Sequence, residues 1–543
     1  MQVSNLKIEF NNNELLKNIS FHLAQGEKVG LVGSNGSGKS TLLKVLANEL
    51  QLDSGKIKLE NETIAYLKQE ISHEFDNFSI LVYIKNQTGI EKLEIRLHEL
   101  ENNLTENNMI EYSDILNKFL LLDGYSFENN LQNIINGLHL NKSLDSKIFT
   151  LSGGEKIKVL LCTMLLSNGD ILLLDEPTNN LDIEAINWLE NYLCNLKKTI
   201  IIVSHDEVFL NNIVNKIFEI SDGMLNEYNL SYEDYLKQKD LEYQKNKLNY
   251  LSAIEERKRI KARLQKAKDW SNRGTYSKAH NDNDKIANNF AKERTRSSEV
   301  SKLSKALEEI DIPTFQERKK INFFLDLDNE KGNKNIYIDN LICGYDSFQT
   351  LPINLNINFG SKINIKGPNG SGKTTFIKTI LGLIKPIEGK VIIGNDVKIG
   401  YISQDTIIDN KNISVYEYIT SGLDKVESSL VFTLLSNFGF NYNDKDKKYF
   451  MLSPGQRTRV NLVKIAFHKI NVLVLDEITN HLDKEALDLI YELVESYPGT
   501  IISISHNRKY NEILNADYSL NISTGNVIFL QNNIRKKKLK NCT

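Results

Sequence analysis

Two short acidic pairs carry the first chemistry. Asp175–Glu176 and Asp476–Glu477 each close an apolar run, ILLL and VLVL respectively. A carboxylate at the C-terminal end of a buried parallel strand faces the ligand crevice of an open α/β sheet. There Asp175 and Asp476 can hold Mg²⁺, directly or through water. Glu176 and Glu477, one residue on, are placed to accept a hydrogen bond from an attacking water. His205 and His506 each follow another apolar run, TIIIV and TIISI, 29 positions after the glutamate of their own half. Each can hydrogen-bond a terminal phosphate and that water.

The phosphates have a matching cradle. GSNGSGKS over Gly33–Ser40 and GPNGSGKT over Gly367–Thr374 both fit G-x-x-x-x-G-K-[ST]. The nucleotide-binding candidates are therefore Gly33, Ser34, Asn35, Gly36, Ser37, Gly38, Lys39, Ser40 and Thr41. Their counterparts are Gly367, Pro368, Asn369, Gly370, Ser371, Gly372, Lys373, Thr374 and Thr375. Glycines let backbone N–H groups approach phosphate oxygens, and the N-terminus of the following helix adds a favourable dipole. Lys39 and Lys373 neutralise phosphate charge, and Ser40 and Thr374 ligate Mg²⁺. Gln69 and Gln404, 30 and 31 residues after those lysines, can reach the metal or the water.

These residues are set out by an internal duplication, which reveals the elements that must position them. Lys39 and Lys373 stand 334 positions apart, and Gln69 and Gln404 stand 335 apart. From Asp175 to Asp476 and from His205 to His506 the offset is 301. LSGGE at Leu151–Glu155 returns as LSPGQ at Leu452–Gln456 with the same spacing. The first half thus holds about 34 additional residues between its glutamine and its LSGGE. In each half the cradle lies between an apolar, strand-length run and a helix-compatible stretch, the alternation of an α/β fold.

The combination of P-loop, LSGGE, DE-x-T-N-x-L-D and the strand-end histidine resembles the ABC ATPases, whose two cassettes would cover most of this chain. The resemblance implies that the signature of one cassette covers the ATP held by the P-loop of the other. One site would join the Lys39 set to Ser453 and Gly455. The other would join the Lys373 set to Ser152, Gly153 and Gly154. Phe10 and Tyr345 stand where that family stacks an aromatic ring on adenine. Three departures are visible. Pro454 replaces a signature glycine and cannot donate a backbone hydrogen bond. Ile478 replaces the Pro of DEPTN, and Asn180 stands opposite His481. The site using Pro454 is expected to hydrolyse more slowly.

The chain has 543 residues and a net charge of −3, so total charge names no partner. Cys162, Cys194, Cys343 and Cys542 form no C-x-x-C pair, which fits a reducing compartment. No signal peptide or membrane-length apolar run is apparent, and the expectation is a cytoplasmic protein. Charge is instead segregated. Lys237–Ile310 holds 19 Lys/Arg against 11 Asp/Glu, a local net of +8. No Pro or Gly interrupts residues 236–272, and Leu241, Leu248, Leu251 and Ile254 form a narrow stripe of helical spacing. A turn at SNRGTYSKAHND and a second helical stretch complete a helical hairpin, an arm of roughly 48 Å at 1.5 Å per residue. Its basic, partly aromatic tip is the electrostatic footprint of a nucleic-acid binder. The RNA-binding candidates are Lys266, Lys268, Trp270, Arg273, Tyr276, Lys278 and His280.

Two fused cassettes, no membrane span and a charged hairpin together resemble the ABC-F family. The fold class implied is α/β: two ABC-type P-loop ATPase domains, each with a helical subdomain, joined by a long α-helical hairpin linker. The expected domains are 1–235 with a helical arm insertion at about 89–140, a linker at 236–335 with its tip at about 268–282, a second cassette at 336–530, and a basic tail at 531–543. The resemblance implies a monomer with ATP and Mg²⁺ as cofactors, bound to the 70S ribosome. The hairpin would enter the tRNA exit site, meet 23S rRNA and P-site tRNA, and reach toward the peptidyl-transferase centre. The length of the linker and tip looks like the antibiotic-resistance branch of Vga and Lsa type, which displaces lincosamides, pleuromutilins and streptogramin A. A housekeeping ABC-F factor acting without a drug is the first alternative. A DNA-binding or repair ATPase and a transporter's ATPase subunit are more distant ones, with no DNA and no membrane expected as partners.

Overall fold

A computed structural model describes residues 1–10, 13–68, 70–105, 108–274, 300–313, 315, 332–345, 348–403, 412–423, 426–479, 482 and 484–530. The chain divides into two compact units, Met1–Tyr232 with Ile321–Thr543, and Glu233–Lys320.

The first unit contains the duplicated halves. Each is built on a six-stranded sheet with one strand order. In the first half the order is Ile64–Tyr66, Ile171–Asp175, Thr199–Val203, Lys28–Gly33, Lys216–Ser221 and Met224–Tyr228. In the second it is Ile399–Ser403, Val472–Asp476, Thr500–Ile504, Lys362–Lys366, Tyr518–Asn521 and Asn526–Phe529. All neighbours are parallel except the last pair of each sheet. Every residue of Ile171–Asp175 and Val472–Asp476 is buried, which is why these strands read as unbroken apolar runs ending in a carboxylate. A three-stranded antiparallel sheet accompanies each main sheet: Asn13–His22, Gln2–Phe10 and Ser54–Lys58, then Ile353–Ile357, Ile336–Ile342 and Glu388–Ile393.

The helical parts of the two halves differ in size. Ahead of the helix Pro454–Ala466 the second half has Val415–Thr420 and Ser428–Asn437. Ahead of Gly153–Leu166 the first half has Ile80–Thr88, Ile90–Asn102, Met109–Leu121 and Phe127–Gly137. The additional residues therefore fold largely as the pair Ile90–Asn102 and Met109–Leu121. Arg96 joins that pair through Glu111 at 2.7 Å.

In the second unit a single helix spans Tyr232–Gly274, 43 residues, and residues 300–309 are helical again. Phe315 then lies against Tyr243 and Tyr250, with ring centroids 5.2 and 5.3 Å away. Leu241, Leu248 and Leu251 stay exposed. Ile254 of the same stripe is half-buried. Tyr243 and Tyr250 sit two positions beyond Leu241 and Leu248, roughly 200° around the helix, and they carry the ring contact. Among the described residues no helix is long and apolar enough to cross a membrane.

Candidate functional site

Each phosphate cradle follows from its strand–loop–helix setting. Lys28–Gly33 and Lys362–Lys366 lead into the loops, and the helices Lys39–Leu46 and Lys373–Ile380 leave them. Gly38 and Gly372 cap these helices at φ +98° and +90°, with no side chain occupying the first N–H groups. A methyl group on Gly38 would come within 2.8 Å of Leu16, and one on Gly372 within 2.7 Å of Phe348. Only glycine meets both demands. Space beside Gly36 and Gly370 is open. Lys39 Nζ donates to the carbonyls of Gly33 and Ser34 at 2.8 and 3.0 Å. Lys373 Nζ donates to those of Gly367 and Pro368 at 3.0 and 3.1 Å. Ser37 Oγ and Ser371 Oγ are buried without a hydrogen-bond partner. Glycine-lined N–H groups, a buried lysine and an orphan hydroxyl together fit the oxygens of a polyphosphate.

The acidic pairs close the same crevice. In the second half Thr374 Oγ1 donates to Asp476 Oδ1 at 3.3 Å, and Tyr401 Oη donates to Asp476 Oδ2 at 3.3 Å. Glu176 and Glu477 both adopt left-handed backbone conformations, φ +52° and +49°. Non-glycine residues rarely do so, and such strain gathers at functional sites. Their N–H groups hold the neighbouring strand at Val203 O (2.9 Å) and Ile504 O (3.0 Å), which fixes the direction of each carboxylate. Glu176 Oε2 accepts from the His205 backbone N–H at 3.3 Å, and His205 Nε2 lies 3.5 Å from Glu176 Oε1. His506 Nε2 lies 3.9 Å from Glu477 Oε1, and Lys373 Nζ lies 4.0 Å from the same oxygen.

Burial sets the protonation states. It raises the Glu176 carboxyl to about 8, with the adjacent Asp175 charge adding to the effect. It raises Glu477 and Asp476 in the same direction. It lowers His506 to about 4, assisted by the Lys373 charge, so this ring is neutral at physiological pH. A raised carboxylate beside a phosphate cradle has the basicity to orient and accept a proton from water.

The halves also meet. Asn369 of the second P-loop donates to the Asn180 carbonyl at 2.7 Å. A methyl on Gly154 of the first signature would lie 3.6 Å from Asn180 Cβ. The Asp182 and Lys158 charges of the first half reach both Lys373 and His506. Both signature serines build capping boxes, Ser152 with Glu155 and Ser453 with Gln456. Tyr345 is 55% exposed on a two-stranded ribbon, open to a flat ligand. Phe10 ends the strand Gln2–Phe10, but its side chain lies outside the described residues, as do those of Trp270 and Arg273. Lys266 and Lys268 are exposed on the long helix. Gln69, Gln404, Tyr276, Lys278 and His280 lie outside the described residues.

Two site residues were missed by motif reading. Tyr401 bonds Asp476, and Tyr66, whose buried hydroxyl has no hydrogen-bond partner, is near enough to Asp175 for that charge to raise it further. They stand 335 positions apart, the same offset as the two glutamines, and that offset is the signal that could have found them.

The comparisons agree with this geometry. The family model described as ABC transporter matches residues 16–179 and 351–480. The putative ATP-binding protein YdiF of Bacillus subtilis is 30% identical over 94% of this chain and 78% of its own length. The energy-dependent translational throttle protein EttA of Mycobacterium tuberculosis is 30% identical over 91% of this chain and 86% of its own. An archaeal ribosome recycling factor, aABCE1, solved with the stalk protein aP1, superposes with a TM-score of 0.54 at 21% identity, covering 95% of this chain and 87% of that one. That last likeness is one of fold. With paired P-loop cassettes, two signatures and relatives that span nearly its whole length, the chain is an ATP-hydrolysing enzyme and belongs to the ABC-F family of ABC ATPases.

Proposed function

We propose that this protein is a cytoplasmic, ATP-dependent ribosome-binding factor that acts as a monomer with two composite ATP sites. The observation that carries the composite sites is Asn180, which touches the P-loop of the other cassette at 2.7 Å and neighbours the signature of its own. In this reading Lys39 and Lys373 turn from their loop carbonyls to phosphate oxygens. Glu176 and Glu477 orient the attacking water, with His205 and His506 beside them. Thr374 and Asp476, whose oxygens lie 3.3 Å apart, would hold Mg²⁺ in the second half, and Ser40 and Asp175, at the duplicated positions, would do so in the first. Bound there, the ion would neutralise charge developing on the phosphates. Gln69 and Gln404 would serve the same ion, and Phe10 and Tyr345 the adenine rings.

Closure around ATP would set the pose of the basic helix Tyr232–Gly274 and its tip, residues 268–282. Segregated positive charge suits RNA phosphates, and Trp270, Tyr276 and His280 suit unpaired bases. The tip would then pass through the tRNA exit site of the 70S ribosome, meeting 23S rRNA and the P-site tRNA. It would displace lincosamide, pleuromutilin or streptogramin A drugs near the peptidyl-transferase centre. A second reading, a translation factor that gates ribosomes without any drug, is favoured by the likeness to a translational throttle protein.

The test pairs Glu176→Gln with Glu477→Gln. With ATP present the double variant should co-sediment with ribosomes and resist competition by duplex DNA; sedimentation free of ribosomes defeats the proposal. A drug-susceptibility panel with the intact and the tip-deleted protein separates the two readings. Loss of resistance on deleting the tip supports drug displacement. Unchanged susceptibility together with locked ribosomes supports the throttle.

A further inference from the structure

The residues just beyond His205 and His506 carry opposite charges. After His205 come Asp206 and Glu207; after His506 come Asn507, Arg508 and Lys509. The fold brings the two sets together across the boundary between the halves. Arg508 Nη2 lies 2.6 Å from Glu190 Oε2 and 3.7 Å from Asp206 Oδ2, and its Nη1 donates to Asn187 Oδ1 at 3.3 Å. Glu207 receives both Lys484 and, at 2.7 Å, Lys509. Glu190, Asp206 and Glu207 are between 10 and 15% exposed, so solvent and salt screen these pairs only partly.

Asp206 does more than pair. Its Oδ1 accepts from the N–H groups of Val208 and Phe209 at 3.0 Å each, which caps the helix Glu207–Ile213 directly behind His205. Whatever moves Asp206 therefore moves the backbone that aims His205 at Glu176. The duplication offers no equivalent in the other direction. The positions matching Asp206, Glu207 and Glu190 are Asn507, Arg508 and Tyr491, and the position matching Lys484 is Ile183. These residue types cannot form the same ion pairs with the roles reversed.

We infer that Arg508, with Lys484 and Lys509, is a positioning residue acting in trans: the second cassette holds the His205 loop of the first, so turnover at the Lys39 site depends on this charge cluster and turnover at the Lys373 site does not. The inference rests on the ATPase activity and not on ribosome binding, so it is tested on the isolated full-length protein.

Single-turnover cleavage of radiolabelled ATP reads the Lys39 site in a chain carrying Glu477→Gln, and the Lys373 site in a chain carrying Glu176→Gln. Adding Arg508→Ala should slow the Lys39 site about fivefold or more, the lower range of measured coupling between sites. ATP affinity at that site, and the rate at the Lys373 site, should stay within about twofold on that scale. Arg508→Lys should restore at least half of the lost rate. Equal slowing of both sites, or none at the Lys39 site, overturns the inference. Should Arg508→Ala misfold, a salt titration of the two single-glutamine chains decides instead. A steeper fall of the Lys39 rate supports trans positioning, and parallel falls refute it.

Discussion

Asn369 of the second P-loop donates its side-chain amide to the backbone carbonyl of Asn180, 189 residues earlier, at 2.7 Å. The acceptor is main chain, so no substitution at position 180 removes it. The donor is a side chain and can be removed. Asn369→Ala should therefore loosen the second cradle from the first cassette without emptying the cradle of glycines. A net hydrogen bond contributes about 0.5–1.5 kcal/mol, or a roughly two- to twelvefold change in rate if it is made at the transition state. Single-turnover cleavage at the Lys373 site should slow within that range while the Lys39 site holds its rate. An unchanged Lys373 rate would make the contact incidental to closure.

Glu176 makes a second prediction, readable without activity. Burial and the Asp175 charge raise its carboxyl to about 8, against an ordinary value of 4.5. Between those two values the unfolded chain has lost the proton and the folded chain still holds it. Stability must then fall as pH rises through this window, because the folded state binds more protons. Glu176→Gln is neutral at every pH and lacks this term. The melting temperature of the variant, measured free of nucleotide, should gain on the wild type steadily from pH 5 to pH 8. A constant difference across that range would mean that the carboxylate is already ionised in the folded protein.

Packing supplies a third. Gly137 closes the helix Phe127–Gly137 against the indole of Trp188, and a methyl there would fall 2.0 Å from Cε2. Trp188 is itself stacked on Tyr192, with centroids 5.1 Å apart, so it has little room to withdraw. Gly137→Ala should cost about 1–3 kcal/mol by overpacking, lowering the melting temperature of the first cassette by about 2–4 °C per kcal/mol. Limited proteolysis should find its helical part opened first. A wild-type melting curve would show that Trp188 can change rotamer.

Much of the catalytic crevice is legible in the sequence because its parts are contiguous words, repeated at fixed offsets. Asp175 ends an apolar strand, Glu176 and His205 lie one and two residues beyond such strands, and Lys39 opens the helix that follows another, so a local pattern announces both element and position. Tyr401 lacks such a word. Its role exists only because parallel pairing sets Ser403 beside Asp476 and so brings the strand Ile399–Ser403 along the acidic strand. The pair Arg508–Glu190 is separated by 318 residues and obeys no period, so only the assembled halves reveal it. The long helix shows the opposite failure. Leu241 and Leu248 stand out by their helical spacing and stay exposed, whereas Tyr243 and Tyr250 meet the Phe315 ring.

Pro454 provides the sharpest test of how signatures and cradles pair. The helix Pro454–Ala466 tolerates proline in its first turn because the N–H it lacks would be an orphan of the helix in any case. The Ser453–Gln456 capping box is kept, so folding loses nothing by the proline. What is lost is one donor toward whatever anion the signature faces. The first signature keeps that donor in Gly153, beside open space. If the second signature covers the Lys39 cradle, Pro454→Gly should restore a hydrogen bond to a charged phosphate, about 1.5–3 kcal/mol at most. Separately, the backbone freedom a glycine returns to the unfolded chain costs folding about 0.4–1 kcal/mol, which lowers the melting temperature and not the rate of the folded enzyme. Single-turnover cleavage should accelerate at least threefold at the Lys39 site and stay level at the Lys373 site, with a slightly lower melting temperature. Acceleration at the Lys373 site instead would assign each signature to the cradle of its own half and undo the head-to-tail pairing.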